Sequence, residues 1–422
     1  MNRAGGLLAT LILGGGAAML PAQSGIRLTP MGRAVVLATH ANPIPFGGAL
    51  TEVRVVQPIF ILGARALGGH LLGTATLDFE SVTMPGGELT PGAWGEGFVD
   101  RRHPHTTVHE LNVAAVDLLG RLDGRGRLGV VVGKGFVPFG TDDPMSRPIS
   151  RYPVNHHLSQ ILERAIAVVQ YDIGRLTFEG ALFNGDEPER PGQWPLLRKG
   201  DGTWRFGDSW SARVTMRPVK GLEVQGSRAT AHSPEHRPGA GGDAVKSSAS
   251  LRWRDTRQWG ERYLMAEWAR TSELDGFFVF HSWLAEGMVR RGRWAASYRY
   301  ELTDRPEEER LVDPFRTRRP HFENSNLGIG RWSLHTLHLG ADVLKSGAPV
   351  NVAVFLEGTL GGVTKRDAAI FDPVALYGTS VVRQLSAGVS FDWRMRGHRM
   401  GRYGVLDAMH IDPAGHDMME HQ

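Results

Sequence analysis

Charged side chains at every second position are the residues of this chain whose type and spacing could do chemistry. Between residues 293 and 301, polar and charged side chains alternate with apolar and aromatic ones: Arg293, Ser297, Arg299 and Glu301 against Trp294, Ala296, Tyr298 and Tyr300. Successive side chains of a β-strand point to opposite faces, so this segment predicts a strand with one apolar and one charged face. Rings of charge along a pore select ions by sign.

The same alternation recurs along the chain, and it places many charges on the polar faces. The residues predicted to line a pore are Arg175, Glu179, Arg213, Arg217, Arg252, Arg254, Arg293, Arg299, Glu301 and Glu357. Arginine is slightly in excess on these faces, which predicts a mild preference for anions. Ladders of ion pairs without selectivity are the alternative.

Histidine and methionine form a second set with possible chemistry, the binding of copper or zinc. The candidate ligands are His103, His105, His109, His156, His157, His416, Met418 and His421. The alternatives are hydrogen-bonded loops for the first five and a C-terminal extension without a ligand for the other three.

Catalytic motifs are missing from the sequence. It has no Gly-x-Ser-x-Gly, no His-Glu-x-x-His and no phosphate-binding loop. The chain has no cysteine, which excludes thiolate catalysis, cysteine-ligated zinc and iron–sulfur clusters. A formal net charge of +4 over 422 residues is no signature of nucleic-acid binding. Neither a cofactor nor an enzymatic activity is predicted.

The elements that position these charges are predicted to be about sixteen antiparallel strands, within a range of fourteen to eighteen. Tight connections near residues 66–69, 123–126, 173–174, 218–221, 255–260, 290–292 and 345–349 alternate with mostly long ones. Short periplasmic turns, long extracellular loops and an even strand number are typical of bacterial transmembrane barrels. Because lipid cannot satisfy open backbone edges, such strands must close into a ring. The predicted fold class is therefore all-β, a transmembrane up-and-down β-barrel.

Three segments are predicted along the chain. Residues 1–22 read as a signal peptide, with Arg3 ahead of an apolar stretch from Leu7 to Leu20. Residues 23–393 form the barrel, and residues 394–422 form a short periplasmic tail containing His and Met. Aromatic side chains near predicted strand ends suggest belts at the membrane interfaces: Trp94, Trp210, Trp259, Tyr263, Trp332, Tyr377 and Trp393.

A loop from Gly140 to Ser159 is a candidate for folding inward as a constriction. Its entry sequence, Gly133–Gly140 (GKGFVPFG), and the later Asn155–Gln160 (NHHLSQ) resemble bacterial outer-membrane porin-type proteins, of a phosphate-selective-porin-like or an uncharacterised branch. Asp100–His105 (DRRHPH) is similar to a histidine loop of such barrels. The resemblance extends as a pattern over residues 50–395. It implies the outer membrane, passive uptake and, commonly, a homotrimer.

The sequence therefore predicts an outer-membrane porin for passive diffusion of small hydrophilic solutes or ions, with outer-membrane lipid as its surroundings and no nucleic-acid partner. Two alternatives stay open. One is a copper- or zinc-related barrel that uses the His and Met residues, and the other is a barrel enzyme with an active site at its rim.

Overall fold

A computed structural model describes residues 25–43, 48–83, 106–119, 127–308, 326–344, 350–368, 372–395 and 398–403, with short gaps at 142, 150, 189–190, 196, 198–203, 233 and 235–241. The described residues form sixteen antiparallel strands that close into one barrel, in which β1 pairs with β16 and every other strand pairs with its neighbours in sequence. The predicted transmembrane antiparallel barrel is confirmed.

The first eight strands are β1 (Arg27–Asn42), β2 (Leu50–Ala66), β3 (Leu71–Asp78), β4 (Val108–Ala115), β5 (Arg127–Gly135), β6 (Arg164–Ile173), β7 (Leu176–Phe183) and β8 (Ser209–Met216). The second eight are β9 (Leu222–Ala231), β10 (Ala244–Arg257), β11 (Gly260–Glu273), β12 (Phe278–Arg291), β13 (Trp294–Glu308), β14 (Asn326–Asp342), β15 (Val350–Ala368) and β16 (Val381–Trp393).

Short helices occupy a few connections. The α-helices are α1 (Glu80–Thr83), α2 (His156–Ser159) and α3 (Pro373–Tyr377), and single 3₁₀ turns span Leu67–Gly69, Pro144–Ser146 and Leu274–Gly276. None of the helices in the described ranges is long and apolar enough to cross a bilayer. The strand β1 begins, and the strand β16 ends, at the end of the barrel that carries the β6–β7 and β8–β9 turns. We call this the turn end and the opposite one the loop end.

The strands have the alternation that the sequence predicts. In β8 the side chains of Ala212, Val214 and Met216 are exposed, whereas those of Arg213 and Thr215 are buried. In β10, Leu251 is 44% exposed and Ser250 only 8%. Residues on the outer face are thus apolar and uncovered, and those on the inner face are polar and covered, which is the reverse of a soluble protein.

Two strands are shorter than the pattern suggests. The sequence predicts strands over residues 127–139 and 161–172, but β5 ends at Gly135 and β6 begins at Arg164. Phe136, Val137 and Phe139 are buried together with Ile161 in one apolar cluster. Residues 136–139 and 161–163 thus lie outside the strands, in a segment that packs inside the barrel.

Some predicted belt aromatics lie inside the barrel as well. Trp332 and Tyr377 are buried, with their rings 5.6 Å apart and perpendicular. Tyr263 is also buried and donates a hydrogen bond to Glu286 (2.9 Å). The belt prediction is wrong for these three: Tyr263 and Trp332 have the strand parity of the inner face, and Tyr377 lies on helix α3 and packs against Trp332. Trp210 and Trp259 are exposed, and Trp94 lies outside the described residues.

Candidate functional site: the barrel lumen

Residues 136–163, here named the constriction loop, leave the end of β5 and run inside the lumen. Gly140 makes the entry possible, since its φ is +71° and a Cβ there would lie 1.7 Å from the Ser159 carbonyl oxygen. Its amide donates to Ser227 Oγ on β9 (3.0 Å). Only glycine combines this left-handed backbone with so close an approach. The expected inward fold of residues 140–159 is present in the structure.

The constriction loop is held to the wall by buried charges. Arg151 donates to the carboxylate of Glu301, which also accepts from the Val154 amide (2.6 Å). Two strands away, on β11, Glu267 accepts a hydrogen bond from the Asn155 side-chain amide (3.0 Å). The side chains of Arg151 and Glu301 are both inaccessible to solvent. A buried pair of this kind is tolerated only when both partners are hydrogen-bonded, so the loop conformation depends on it.

A second segment enters the lumen from the turn end. After Trp393, the last residue of β16, the chain turns back at Arg394 (φ +55°), and residues 395 and 398–403 lie within the barrel. Met395, Met400 and Tyr403 join the apolar cluster of the constriction loop. The sequence predicts a periplasmic tail from residue 394, and for these residues the structure differs. Residues 394–403 are named the C-terminal segment below.

The C-terminal segment makes polar contacts with the constriction loop and with the inner faces of β4–β9, which we name the covered wall. Tyr403 Oη donates to Glu110 on β4 (3.0 Å) and accepts from the Phe136 amide (2.5 Å). Arg399 pairs with Glu223 on β9 at 2.7 Å. Burial and the nearby Glu110 carboxylate raise the pKa of Tyr403 well above its usual value. Its phenol therefore stays protonated and able to donate.

Arg402 is the most deeply integrated charge of the C-terminal segment. It donates to the Thr141 carbonyl (2.6 Å) and to Gln225 Oε1, and it lies 3.9 Å from Glu179. Glu179 itself accepts two hydrogen bonds from Arg213, at 2.5 and 2.7 Å. The covered wall, the constriction loop and the C-terminal segment therefore share one buried network of charges.

A cavity remains against the other side of the lumen, close to the turn end. Its empty space, which includes a part open to solvent, is about 1030 Å³, and it is bounded by β10–β16, β1, the constriction loop and Met395. We name its β10–β16 part the open wall. The charged side chains around it are Arg33, Arg147, Arg252, Arg254, Arg290, Glu261, Asp342 and Asp392.

Ion pairs around this cavity are uneven in length. Arg254 lies 2.5 Å from Glu261, and Arg290 lies 2.8 Å from Asp342. Three other arginines are farther from their carboxylates: Arg147 to Glu267 is 3.4 Å, Arg33 to Asp392 is 3.6 Å and Arg252 to Glu223 is 3.7 Å. Arg33 also donates to the Met145 carbonyl of the constriction loop (2.6 Å), so this arginine links the barrel wall to the loop.

Most residues predicted to line a pore have inward side chains. Glu179, Arg213, Arg299, Glu301 and Glu357 are buried in the lumen, and Arg252 and Arg254 border the cavity. Arg217 follows β8 and pairs with Asp172 at 2.5 Å. Two residues differ from the expectation: Arg175 and Arg293 lie exposed in the turns before β7 and β13. Arg175 donates there to the Pro218 carbonyl (2.7 Å).

The predicted histidine ligands do not form a described metal centre. His109 is buried and its Nδ1 bonds to Glu163, while His156 packs edge-on against Tyr152 with 5.0 Å between the rings. Within the described ranges, no group of three or more His, Asp or Glu residues is arranged to hold a metal ion. The side chain of His157 and all of His103, His105, His416, Met418 and His421 lie outside the described residues.

The sequence pattern does not predict a buried polar cluster that lies at the start of β4. Glu163 accepts hydrogen bonds from the amide (2.9 Å) and the hydroxyl (2.6 Å) of Thr106, and Lys134 Nζ lies 3.9 Å away. A bulge in β4, opposite Thr76 and Leu77, turns both His109 and Glu110 inward. Strict alternation cannot predict this, because a bulge shifts the facing by one residue.

Comparisons with known proteins place the fold among outer-membrane barrels. No protein-family model matches the sequence, and no curated relative is detected. The structure is similar to the outer membrane channel DcaP of Acinetobacter baumannii, with a TM-score of 0.50 and 8% identity over 89% of this chain and 99% of that chain.

Two further similar structures have slightly lower scores. One is an anion-selective porin from Comamonas acidovorans, with a TM-score of 0.49 and 10% identity over 87% of this chain and 99% of that chain. The other is the outer membrane protein OmpT of Vibrio cholerae, with a TM-score of 0.47 and 10% identity over 89% of this chain and 100% of that chain. At these identities the likeness concerns the fold. The chain is thus a sixteen-stranded barrel of the porin type.

Proposed function

We propose that this protein is an outer-membrane channel for passive diffusion of small hydrophilic solutes. One observation carries the proposal: a closed barrel with an apolar outer face encloses a charged lumen in which about 1030 Å³ of space, part of it open to solvent, stays empty. In lipid a closed barrel satisfies all backbone groups, and at sixteen strands it is wide enough for water. The turn end then faces the periplasm and the loop end faces the outside.

The finer proposal is a weak preference for anions. Around the cavity, five arginines face three carboxylates, and Glu223 and Glu267 lie just behind. The excess of positive over negative side chains around the cavity is therefore small. An anion that enters the cavity therefore meets more arginines than carboxylates among the residues that line it. We expect a modest preference that salt screens, since the Debye length falls to about 3 Å at 1 M.

Planar-bilayer recording of the purified protein tests both parts. Discrete conductance steps in potassium chloride are expected, and the reversal potential in a salt gradient should indicate anions. Absence of steps from protein that migrates as a folded barrel would contradict a channel, and a cation-selective reversal potential would contradict the anion preference. Liposome swelling with neutral sugars of increasing size then measures the opening. A homotrimer and metal binding stay predictions from the sequence.

A further inference from the structure

We propose that the lumen contains a binding site for a cationic, tyrosine-bearing peptide, and that the protein's own C-terminal segment fills it. This inference rests on the proposed channel function. The segment would act as a permanent internal ligand that narrows the pathway and adds positive charge to it.

The first part of the site is a socket for an aromatic hydroxyl. Gly135, the last residue of β5, has no side chain, and a Cβ there would lie 2.3 Å from Tyr403 Oη. The hydroxyl thus occupies the space that any other residue would fill. It is held from two sides, as acceptor from the Phe136 amide (2.5 Å) and donor to Glu110 (3.0 Å). Glu110 is held in turn by Thr76 Oγ1 (2.7 Å).

The second part of the site recognises guanidinium groups. Arg402 and Arg399 lie against an acceptor-rich wall formed by Glu179, Glu223, Gln225 Oε1 and the Thr141 carbonyl. Charge-assisted hydrogen bonds of arginine are stronger than neutral ones and specific in direction. Both side chains are at most 9% exposed, so these charges form part of the barrel interior and not of a surface tail.

The backbone between these anchors is also held. The Met400 amide donates to Ser146 Oγ of the constriction loop (3.3 Å), and the Gly401 carbonyl accepts from Arg213 (3.2 Å). The Met400 side chain also packs into the apolar cluster of the constriction loop. The segment therefore contacts the wall and the constriction loop at once, which is the position of a plug.

Two consequences follow for transport. Removal of the segment opens space beside the constriction loop, so conductance should rise. Removal also takes away the charges of Arg399 and Arg402 while Glu179 and Glu223 stay, so the lumen becomes more negative. The preference for anions should therefore weaken or reverse.

The test is truncation after Trp393, recorded in the same bilayer as the full-length protein and as a control that ends at Tyr403 and so keeps the C-terminal segment. We expect the truncated channel to conduct roughly twofold more or better, because current follows the open cross-section, and its reversal potential to shift toward cations. A synthetic peptide with the sequence of residues 395–403, added on the turn-end side, should block it. The same peptide with both arginines and the tyrosine replaced by alanine should not.

Point variants keep the test decisive if truncation impairs assembly. Gly135→Ala should act like truncation by displacing Tyr403, whereas Gly180→Ala on β7 should not, since nothing lies within 4 Å of its Cβ position. Equal conductance and selectivity of full-length, truncated and Gly135→Ala channels would overturn the plug. Absence of conductance from all folded variants would instead contradict the channel itself.

Discussion

The covered and the open wall of the lumen follow the same alternation of residues, but they differ in what lies over them. On the covered wall the constriction loop and the C-terminal segment exclude water, and Glu179 and Arg213 are at most 2% exposed. On the open wall no described segment covers the turn-end half, and Arg254 and Glu261 are 31% and 12% exposed. The same type of ion pair is structural in one place and borders the cavity, the proposed solute pathway, in the other.

Strand length follows this division. The strands of the covered wall have eight to ten residues, whereas those of the open wall have thirteen to nineteen. The short strands enclose the part of the lumen that the constriction loop and the C-terminal segment fill, and the long strands surround the cavity. The comparison teaches that the inward charges of such a barrel acquire their role from the irregular segments beside them and not from the strand pattern.

The largest expected effect is the loss of a carboxylate from the covered wall. Glu179→Ala leaves Arg213 and Arg402 buried without their shared anion, which should cost about 3–5 kcal/mol in the free energy of unfolding. Glu261→Ala on the open wall is the matched control, and because its ion pair with Arg254 is partly exposed we expect a loss of about 1 kcal/mol or less. Urea unfolding in detergent, followed by tryptophan fluorescence, measures both. Equal losses would remove the distinction between the two walls.

A smaller effect is expected where the constriction loop enters. Gly140→Ala and Gly174→Ala both force alanine into a left-handed backbone, at φ +71° and +60°, which costs about 1–2 kcal/mol each. Only Gly140 also has a neighbour in the way, Ser159 O at 1.7 Å. We expect an additional loss of about 1–3 kcal/mol for Gly140→Ala from this overlap. Matching unfolding midpoints for the two variants would mean that the loop entry is not tightly packed.

The barrel wall could be predicted from the sequence because alternation is a local property of each strand. Leu251 and Val354 outside, and Arg213 and Glu357 inside, follow from parity alone. The positions of the constriction loop and the C-terminal segment inside the barrel could not be predicted in the same way. The contact of Tyr403 with Glu110 joins residues 293 positions apart, and the inward turn of His109 depends on a bulge that leaves no mark in composition. Such contacts depend on tertiary packing, which no periodicity records.

The smallest expected effect concerns selectivity, and it separates the walls by function and not by stability. The double variant Arg252→Gln and Arg254→Gln removes two charges beside the cavity, so the reversal potential in a potassium chloride gradient should move toward cations. Arg213→Gln removes one charge from the covered wall, where Glu179 and Arg402 already compensate each other, so it should destabilise the barrel and shift the potential less per charge. The shift of the double variant should shrink as salt rises from 0.1 to about 1 M, because the Debye length falls from about 10 to 3 Å. If Arg213→Gln moved the potential as far per charge as the double variant, ions would pass along both walls and the covered wall would be part of the pathway.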